Sequence, residues 1–152
     1  DRLGIPGYLR ERITEEGFLV YLDPGGQHVC LTQKDIRQFQ LAKAAVQAGI
    51  RMLLEQKGLT LEQVDRLYIA GVFGGHISKK SAVLTGLFPD IAREKIVIAG
   101  NAAGDGAAKA LLSEAFLQQT EQVGSEAVHI ELAQQEAFQQ EFLASMELTP
   151  WN

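Results

Sequence analysis

Cysteine is almost absent from this sequence of 152 residues, because Cys30 is the only one. One thiol cannot form an internal disulfide, and it cannot supply the four thiolates that an iron–sulfur cluster usually requires. The three histidines, His28, His76 and His129, are scattered along the chain without the spacing of metal ligands. We therefore expect the chain to hold no metal ion and no cluster.

Long apolar runs and an excess of positive charge are also missing. The longest apolar runs, such as Leu67–Ala70 and Ile96–Ala99, are far too short to span a bilayer. No charged-then-apolar leader opens the chain. The formal net charge is −5, so no basic field exists to hold a phosphate backbone. These features argue against membrane and nucleic-acid partners and predict a cytoplasmic protein.

The sequence predicts one domain after a connector. Residues 1–16 are charged and interrupted by glycine and proline, and we expect them to connect to a missing N-terminal part. Residues 17–152 form the predicted domain, in which strands and helices alternate over short connections, a pattern typical of an α/β fold. The predicted strands are Phe18–Leu22, His28–Leu31, Arg66–Ala70, Ile96–Ala99 and Ala127–Leu132. The predicted helices cover residues 33–57, 78–85, 107–118 and 135–146.

Turn and cap residues mark the first elements. The run Asp23-Pro24-Gly25-Gly26 is typical of a hairpin turn. A carboxylate beside glycines also suits a phosphate or a metal, but the turn is the favoured interpretation. Thr32 and Asp35 fit a capping box at the start of the long helix, and Gly58 suits its end. Apolar residues recur at helical spacing on one arc, which we expect to face the core. They are Ile36, Phe39, Ala42, Val46, Ile50, Leu53 and Leu54.

Two predicted strands end in glycine-rich segments, one over residues 71–76 and the other over 100–106. Ligands of open α/β sheets bind beyond the carboxyl ends of strands. Gly104 and Gly106 would leave free N–H groups for an anion before the next helix. For each segment alone a tight turn is the slightly favoured interpretation, and Asp105 equally suits a helix N-terminus. The two segments together favour a ligand.

A polar line on the long helix is a further candidate. Gln40, Lys43 and Gln47 follow one another at helical spacing on the flank of the apolar arc. We expect the Lys43 ammonium to reach a cleft, where it would meet a phosphate or a ribose hydroxyl. The alternative is a solvated helix edge on which only the lysine stem packs.

Several motifs together resemble a known family. They are Thr32-Gln33-Lys34-Asp35-Ile36-Arg37, the run from Gln40 to Ala45, Leu67-Tyr68-Ile69-Ala70-Gly71 followed by Phe73-Gly74, and Gly100-Asn101. With these motifs the chain resembles, from about residue 17 to its end, the C-terminal domain of the reductive activators of corrinoid proteins. Those ATP-dependent activators carry an N-terminal plant-type ferredoxin domain. The resemblance implies an α/β, actin-like (ribonuclease H-like) ATPase subdomain with a mixed sheet and flanking helices.

The resemblance also implies where a nucleotide binds. In the related chaperones a helix with polar side chains covers the adenosine, and two glycine segments hold it. The matching residues here are Gln40, Lys43, Gln47, Gly71, Phe73, Gly74, Gly75, His76, Gly100, Asn101, Gly104, Asp105 and Gly106. Relatives carry Gly-Gly-Phe-Gly in the first segment, whereas Val72 here disfavours a positive φ, so we expect a reshaped loop and weaker binding.

The function implied by the resemblance is the reduction of Co(II) corrinoid to Co(I) on a methyltransferase system. The cofactors implied are ATP or ADP, with Mg²⁺ in the full-length parent, and an iron–sulfur cluster in the missing N-terminal part. The phosphate-binding loops and metal-site aspartates belong to that missing half, so no catalytic residue is assigned. The partners are a corrinoid protein and the nucleotide, and a homodimer is also considered. The alternatives are a non-catalytic interaction domain on the same fold and part of a small-molecule kinase.

Overall fold

A computed structural model describes residues 5–151 of the chain, without the side chain of Phe73. Residues 1–4 of the predicted connector therefore lie outside the described residues. The chain divides into two compact units, of which the first ends at Ala42 and the second begins at Lys43. The division falls inside one continuous helix.

The first unit contains a short helix and a β-hairpin. Helix α1 (Gly7–Arg10) is followed by β1 (Phe18–Leu22) and β2 (His28–Leu31), which pair antiparallel with a bulge after Leu19. Asp23 closes the turn between them, because its Oδ1 accepts a hydrogen bond from the amide of Gln27 at 2.8 Å. The predicted hairpin and turn are confirmed.

Helix α2 (Gln33–Lys57) begins and ends where its cap residues predict. The amide of Thr32 donates to Asp35 Oδ2 at 2.9 Å, and the amide of Asp35 donates to Thr32 Oγ1 at 3.2 Å. These two bonds form the capping box. Gly58 ends the helix with a φ of +62°, a conformation that glycine adopts without steric cost.

The buried face of α2 differs from the predicted apolar arc. Phe39, Val46 and Leu53 of that arc are exposed. The helix instead packs through the fully buried Ala44 and Ala48, because small side chains let neighbouring segments of the chain lie close to the helix backbone. The buried residues are Lys43, Ala44, Gln47, Ala48 and Met52. The predicted polar line therefore lies largely on the packed face.

The second unit is built on two parallel strands. Strands β3 (Leu67–Ala70) and β4 (Ile96–Gly100) pair in parallel, and α3 (Val72–His76) and α4 (Lys79–Leu84) lie between them in the chain. Beneath them lies a small core of buried Ala82, Leu87, Phe88 and Ile96. Because the strands are parallel, their carboxyl ends meet at the same edge of the sheet.

The remaining elements correct four expectations. The described strands form two separate two-stranded sheets rather than one mixed sheet. The helix predicted over 107–118 is two helices, α5 (Ala102–Leu112) and α6 (Glu114–Glu126). They separate at Ser113, whose hydroxyl accepts a hydrogen bond from the amide of Phe116 and caps α6.

The strand predicted at Ala127–Leu132 is also wrong. This segment has no strand partner within residues 5–151, and an extended backbone without a partner cannot form a ladder. The last helix, α7 (Glu136–Ala144), is shorter than predicted, and the rings of Phe138 and Phe142 pack with centroids 6.3 Å apart. No helix in the described part of the chain has the length and apolar character that a bilayer span needs.

Candidate functional site

The two glycine segments meet at the carboxyl ends of β3 and β4. The amide of Gly71 donates a hydrogen bond to the carbonyl of Gly100 at 2.7 Å. Both residues have positive φ, +83° and +61°, and no described atom lies within 4 Å of where a Cβ would stand on either. We call Gly71, Gly100 and Asn101 the glycine corner. Its surface leaves room for a ligand to approach the backbone.

The first glycine segment is a short helix rather than the predicted loop. Helix α3 starts directly after Gly71, which takes the positive φ, so Val72 is helical and needs none. The Val72 side chain points outward with 84% of its surface exposed, and the weaker nucleotide binding expected from Val72 stays a prediction. A Cβ on Gly74 would lie 2.8 Å from Ile69 Cγ2, so this glycine lets α3 pack on β3. Gly75 faces open space within the described structure, and His76 is exposed at the helix end.

The second glycine segment also belongs to a helix. Because α5 begins at Ala102, its first turns contain Gly104, Asp105 and Gly106, which were predicted to precede the helix. Asn101 caps α5: its Oδ1 accepts from the amide of Gly104 at 3.2 Å, and its carbonyl accepts from Asp105 at 3.0 Å. These two amides are therefore engaged rather than free. The preference of asparagine for the N-cap position is the sequence signal that places the start correctly.

Lys43 is buried, with only 1% of its surface exposed, so the expectation that its ammonium reaches an open cleft is wrong in this structure. Its Nζ donates to the carbonyl of Ser145 at 2.8 Å and to the carbonyl of Glu147. Burial lowers the pKa of Lys43, and nearby Arg51 lowers it further, while Glu147 acts in the opposite direction. The lysine therefore holds the C-terminal segment to α2.

Residues 145–151, here called the C-terminal clasp, are held at further points. The indole Nε1 of Trp151 donates to the carbonyl of Gly86 at 2.6 Å. The guanidinium of Arg51 lies 5.3 Å from the centre of the Trp151 ring, and its Nε lies 3.3 Å from Glu141 Oε1. A Cβ on Gly86 would lie 2.1 Å from the carbonyl oxygen of Thr149. Only glycine therefore fits at this crossing.

Gln47, one turn after Lys43, leaves a buried oxygen unsatisfied. Only 5% of its surface is exposed, and its Oε1 has no hydrogen-bond partner among the described atoms. Buried polar atoms are nearly always bonded, so this oxygen marks a place where a further donor is needed. Gln40, one turn before Lys43, is half-buried and lies in the first unit.

The predicted site residues thus fall into two groups. The structure joins the two glycine segments at the glycine corner, and it places Lys43 against the C-terminal clasp, with Gln47 buried one turn further along α2. Sequence reasoning missed the clasp, because its contacts join residues far apart in the chain. The one tryptophan of the sequence, at position 151, was the available signal.

Known proteins resemble this chain over most of its length. Residues 8–152 match the family model described as the C-terminal domain of RACo, the ASKHA domain. A protein named corrinoid activation enzyme RamQ from Eubacterium limosum is 36% identical over 121 residues, which cover 80% of this chain and 20% of that protein. A [Co(II) methylated amine-specific corrinoid protein] reductase from Methanosarcina barkeri is 27% identical over 128 residues, which cover 83% and 23%.

A solved structure supports the same relationship. The protein titled reductive activator for corrinoid, iron–sulfur protein superposes with a TM-score of 0.79 at 33% identity, over 93% of this chain and 24% of that one. The chain therefore spans about a fifth to a quarter of the length of the relatives it matches. On the family match over residues 8–152, the chain belongs to the family of C-terminal ASKHA domains of RACo.

Proposed function

We propose that this chain is the nucleotide-binding domain of a longer ATP-dependent activator, which reduces Co(II) corrinoid to Co(I) on a corrinoid methyltransferase system. The names of two relatives, a corrinoid activation enzyme and a Co(II) corrinoid protein reductase, support this activity for the parent. The α/β architecture and the ASKHA family match support an actin-like, ribonuclease H-like fold.

The glycine corner is the observation that carries the nucleotide-binding proposal. Two strand ends, from separate parts of the sequence, meet through the bond between Gly71 and Gly100. Both glycines leave the space above the backbone open, as far as the described atoms show. Ligands of open α/β sheets bind outside the carboxyl ends of parallel strands, so this combination suits a nucleotide. We assign the Oε1 of buried Gln47, which has no hydrogen-bond partner among the described atoms, as an acceptor for a ribose hydroxyl or an adenine amino group once the packing over it opens.

We assign both backbone groups and side chains of this chain to the nucleotide. We assign the backbone of Gly71, Gly75 and Gly100 to close approach, and the Asn101 side chain to the corner where α5 begins. Gln40, Lys43 and Gln47 are assigned to the adenosine, and Lys43 must release the clasp carbonyls before it can take part. The family pattern adds Phe73, Gly74, His76, Gly104, Asp105 and Gly106 to the proposed surroundings of the nucleotide.

In the parent protein, we propose that nucleotide binding shifts the equilibrium between two conformations. A nucleotide shifts an equilibrium only by the difference between its affinities for the two conformations. We propose that ATP, with Mg²⁺ held by the rest of the parent, changes how the activator binds its corrinoid protein. The residues of this chain contribute positioning of the nucleotide, and no proton transfer or nucleophilic step is assigned to them.

An iron–sulfur cluster does not fit the residues of this chain. The sequence contains one cysteine, whereas such clusters are held by four thiolates or by a mixed set with histidines. We therefore assign the redox centre of the parent to another part of that protein.

Titration of the chain with ADP, followed by amide chemical shifts, tests nucleotide binding. We expect the amides of Gly71, Gly75, Gly100 and Asn101 to shift, with a dissociation constant of roughly millimolar to high micromolar, because the rest of the site belongs to the parent. Shifts that cluster instead at the hairpin turn near Asp23 would place the ligand elsewhere. A complete lack of shifts with ADP and ATP would favour an interaction domain without nucleotide.

A further inference from the structure

Three side chains with different metal-binding atoms come together in the first unit. Glu16, His28 and Cys30 each offer one ligand atom, and these atoms all lie within 4.8 Å of one another. The Nε2 of His28 is 3.1 Å from Oε2 of Glu16. Sequence analysis did not predict this group, because β1 and the hairpin turn separate Glu16 from His28 and Cys30 along the chain. The spacing of the histidines in the sequence therefore does not reveal which metal-binding side chains lie near His28.

The hairpin presents two of these side chains on one face. His28 and Cys30 are two residues apart on β2, so their side chains point to the same side of the strand. Opposite them on β1, Leu19 pairs with Cys30 and Leu22 pairs with His28. The two leucines therefore flank the polar pair with apolar surface.

A tight turn before β1 brings the third side chain over this face. The amide and the hydroxyl of Thr14 both donate to the carbonyl of Gly17, at 2.8 and 2.9 Å. Gly17 has a φ of +146°, and a Cβ on it would lie 2.4 Å from the carbonyl oxygen of Leu31. Glycine is therefore required for the turn to approach the end of β2. The carboxylate of Glu16, within this turn, is held beside His28.

The three ligand atoms line an open pocket of about 380 Å³. Its other lining residues are Thr14, Glu15, Leu19 and Leu22. Cys30 is partly buried, whereas Glu16 and His28 are exposed, so an ion has a path from solvent to all three atoms. The pocket lies wholly within the first unit.

We propose that Glu16, His28 and Cys30 form a binding site for a zinc-class divalent transition-metal ion. A thiolate, an imidazole and a carboxylate are the ligand types that Zn²⁺ accepts, at distances of about 2.0 to 2.3 Å. In tetrahedral geometry such ligands stand roughly 3.3 to 3.7 Å apart, so small side-chain rotations from the observed separations suffice. Mg²⁺ and Ca²⁺ prefer oxygen ligands throughout, and the sulfur and nitrogen atoms disfavour them.

Three protein ligands leave one coordination position open to solvent or to a partner's side chain. The site lies in the first unit and the glycine corner lies in the second, so the two proposals rest on different residues and are tested separately.

Zn²⁺ titration of the reduced, chelator-treated chain against a chromophoric competitor tests the site. We expect one Zn²⁺ per chain, and a loss of affinity of at least about tenfold in Cys30→Ser and in Glu16→Gln. Glu16→Gln keeps a hydrogen-bonding side chain beside His28 and is exposed, so it separates loss of a ligand from loss of the fold. Co²⁺ provides a second readout, because a cobalt–thiolate bond gives a charge-transfer absorption that Cys30→Ser must abolish.

His129→Ala is the matched control. His129 also lies beside a glutamate, with Nε2 3.5 Å from Glu131 Oε2, but the sequence has no second cysteine to accompany it. We expect this variant to bind Zn²⁺ as the wild type does. The proposal is overturned if the wild type binds no Zn²⁺, if either ligand variant binds with unchanged affinity, or if His129→Ala loses binding to the same extent.

Discussion

The amide of Gly71 donates to the carbonyl of Gly100 across 2.7 Å, and this bond joins the ends of β3 and β4 through two residues that are 29 apart in the sequence. Each glycine has a positive φ, at which the backbone of a residue with a side chain would be strained. The space above both is open within the described structure, so conformation rather than crowding selects glycine at these positions.

Gly71→Ala is expected to lower the free energy of unfolding by about 1–2 kcal/mol, the cost of a left-handed conformation for an L-residue. Gly106→Ala is the control, because Gly106 lies in α5, has no positive φ and has free space for a Cβ. Alanine there is expected to be neutral or stabilising by up to about 1 kcal/mol. Urea unfolding of both variants measures the difference. Equal effects would show that the φ of Gly71 is not the cause.

Gly86→Ala is expected to release the C-terminal clasp. The added methyl group would meet the carbonyl of Thr149, so the cost should exceed the roughly 1–2 kcal/mol of a positive φ alone. Trp151 is the only tryptophan and is buried, so its fluorescence should shift to longer wavelength when the clasp opens. Gly58→Ala is the control. Gly58 has a comparable φ, and no described atom lies within 4 Å of where its Cβ would stand, so this variant should leave the emission unchanged. Identical emission from the two variants would contradict this account of the clasp.

Lys43→Ala is expected to destabilise the fold by about 2 kcal/mol. The carbonyls of Ser145 and Glu147 lose a charged donor, and removal of the buried charge offsets part of that loss. Lys34→Ala, at an exposed position near the helix start, should change stability by less than about 0.5 kcal/mol. Thermal or urea unfolding of both variants provides the comparison. A neutral Lys43→Ala would mean that the clasp does not depend on this lysine.

The pH dependence of stability offers a separate test of the buried lysine. The folded-state pKa of Lys43 lies below 10.5, mainly because burial disfavours the charged form. Between that lowered pKa and 10.5 the unfolded chain binds more protons than the folded chain, so stability rises with pH. The free energy of unfolding of the wild type should therefore increase relative to Lys43→Met as the pH rises through this window. Denaturant unfolding of both proteins from neutral pH to about 10.5 measures it, and a constant difference would contradict the lowered pKa.

Asn101→Ala and Ser113→Ala separate a binding role from a capping role. Each residue caps a helix, with its side chain accepting from Gly104 or Phe116, so each variant should cost about 1 kcal/mol of stability. Only Asn101 belongs to the glycine corner. We expect Asn101→Ala to weaken ADP binding by about fivefold or more, equivalent to about 1 kcal/mol, and Ser113→Ala to leave it unchanged. Equal ADP affinities would remove Asn101 from the proposed site.

Local signals predicted the elements whose contacts are short in sequence. Thr32, Asp35 and Gly58 define the ends of α2, and Asp23 with its glycines defines the hairpin turn, because each makes its hydrogen bonds within a few residues. The prediction of where α5 starts was wrong for a local reason. It relied on the glycines after Asn101 and overlooked that Asn101 caps the helix. The expected strand at 127–132 failed because a strand exists only where a partner does.

The sequence by itself determined the family, the paired glycine segments and the alternation of strands and helices, because those features are written in residue types and their spacing. Only the tertiary structure decided which face of α2 is buried. Ala44 and Ala48 allow close packing there, and the distant carbonyls of Ser145 and Glu147 satisfy Lys43 on that face. The tertiary structure also brought Glu16 to His28 and Cys30. Such contacts depend on which segments meet after the chain folds back, and no local preference specifies that.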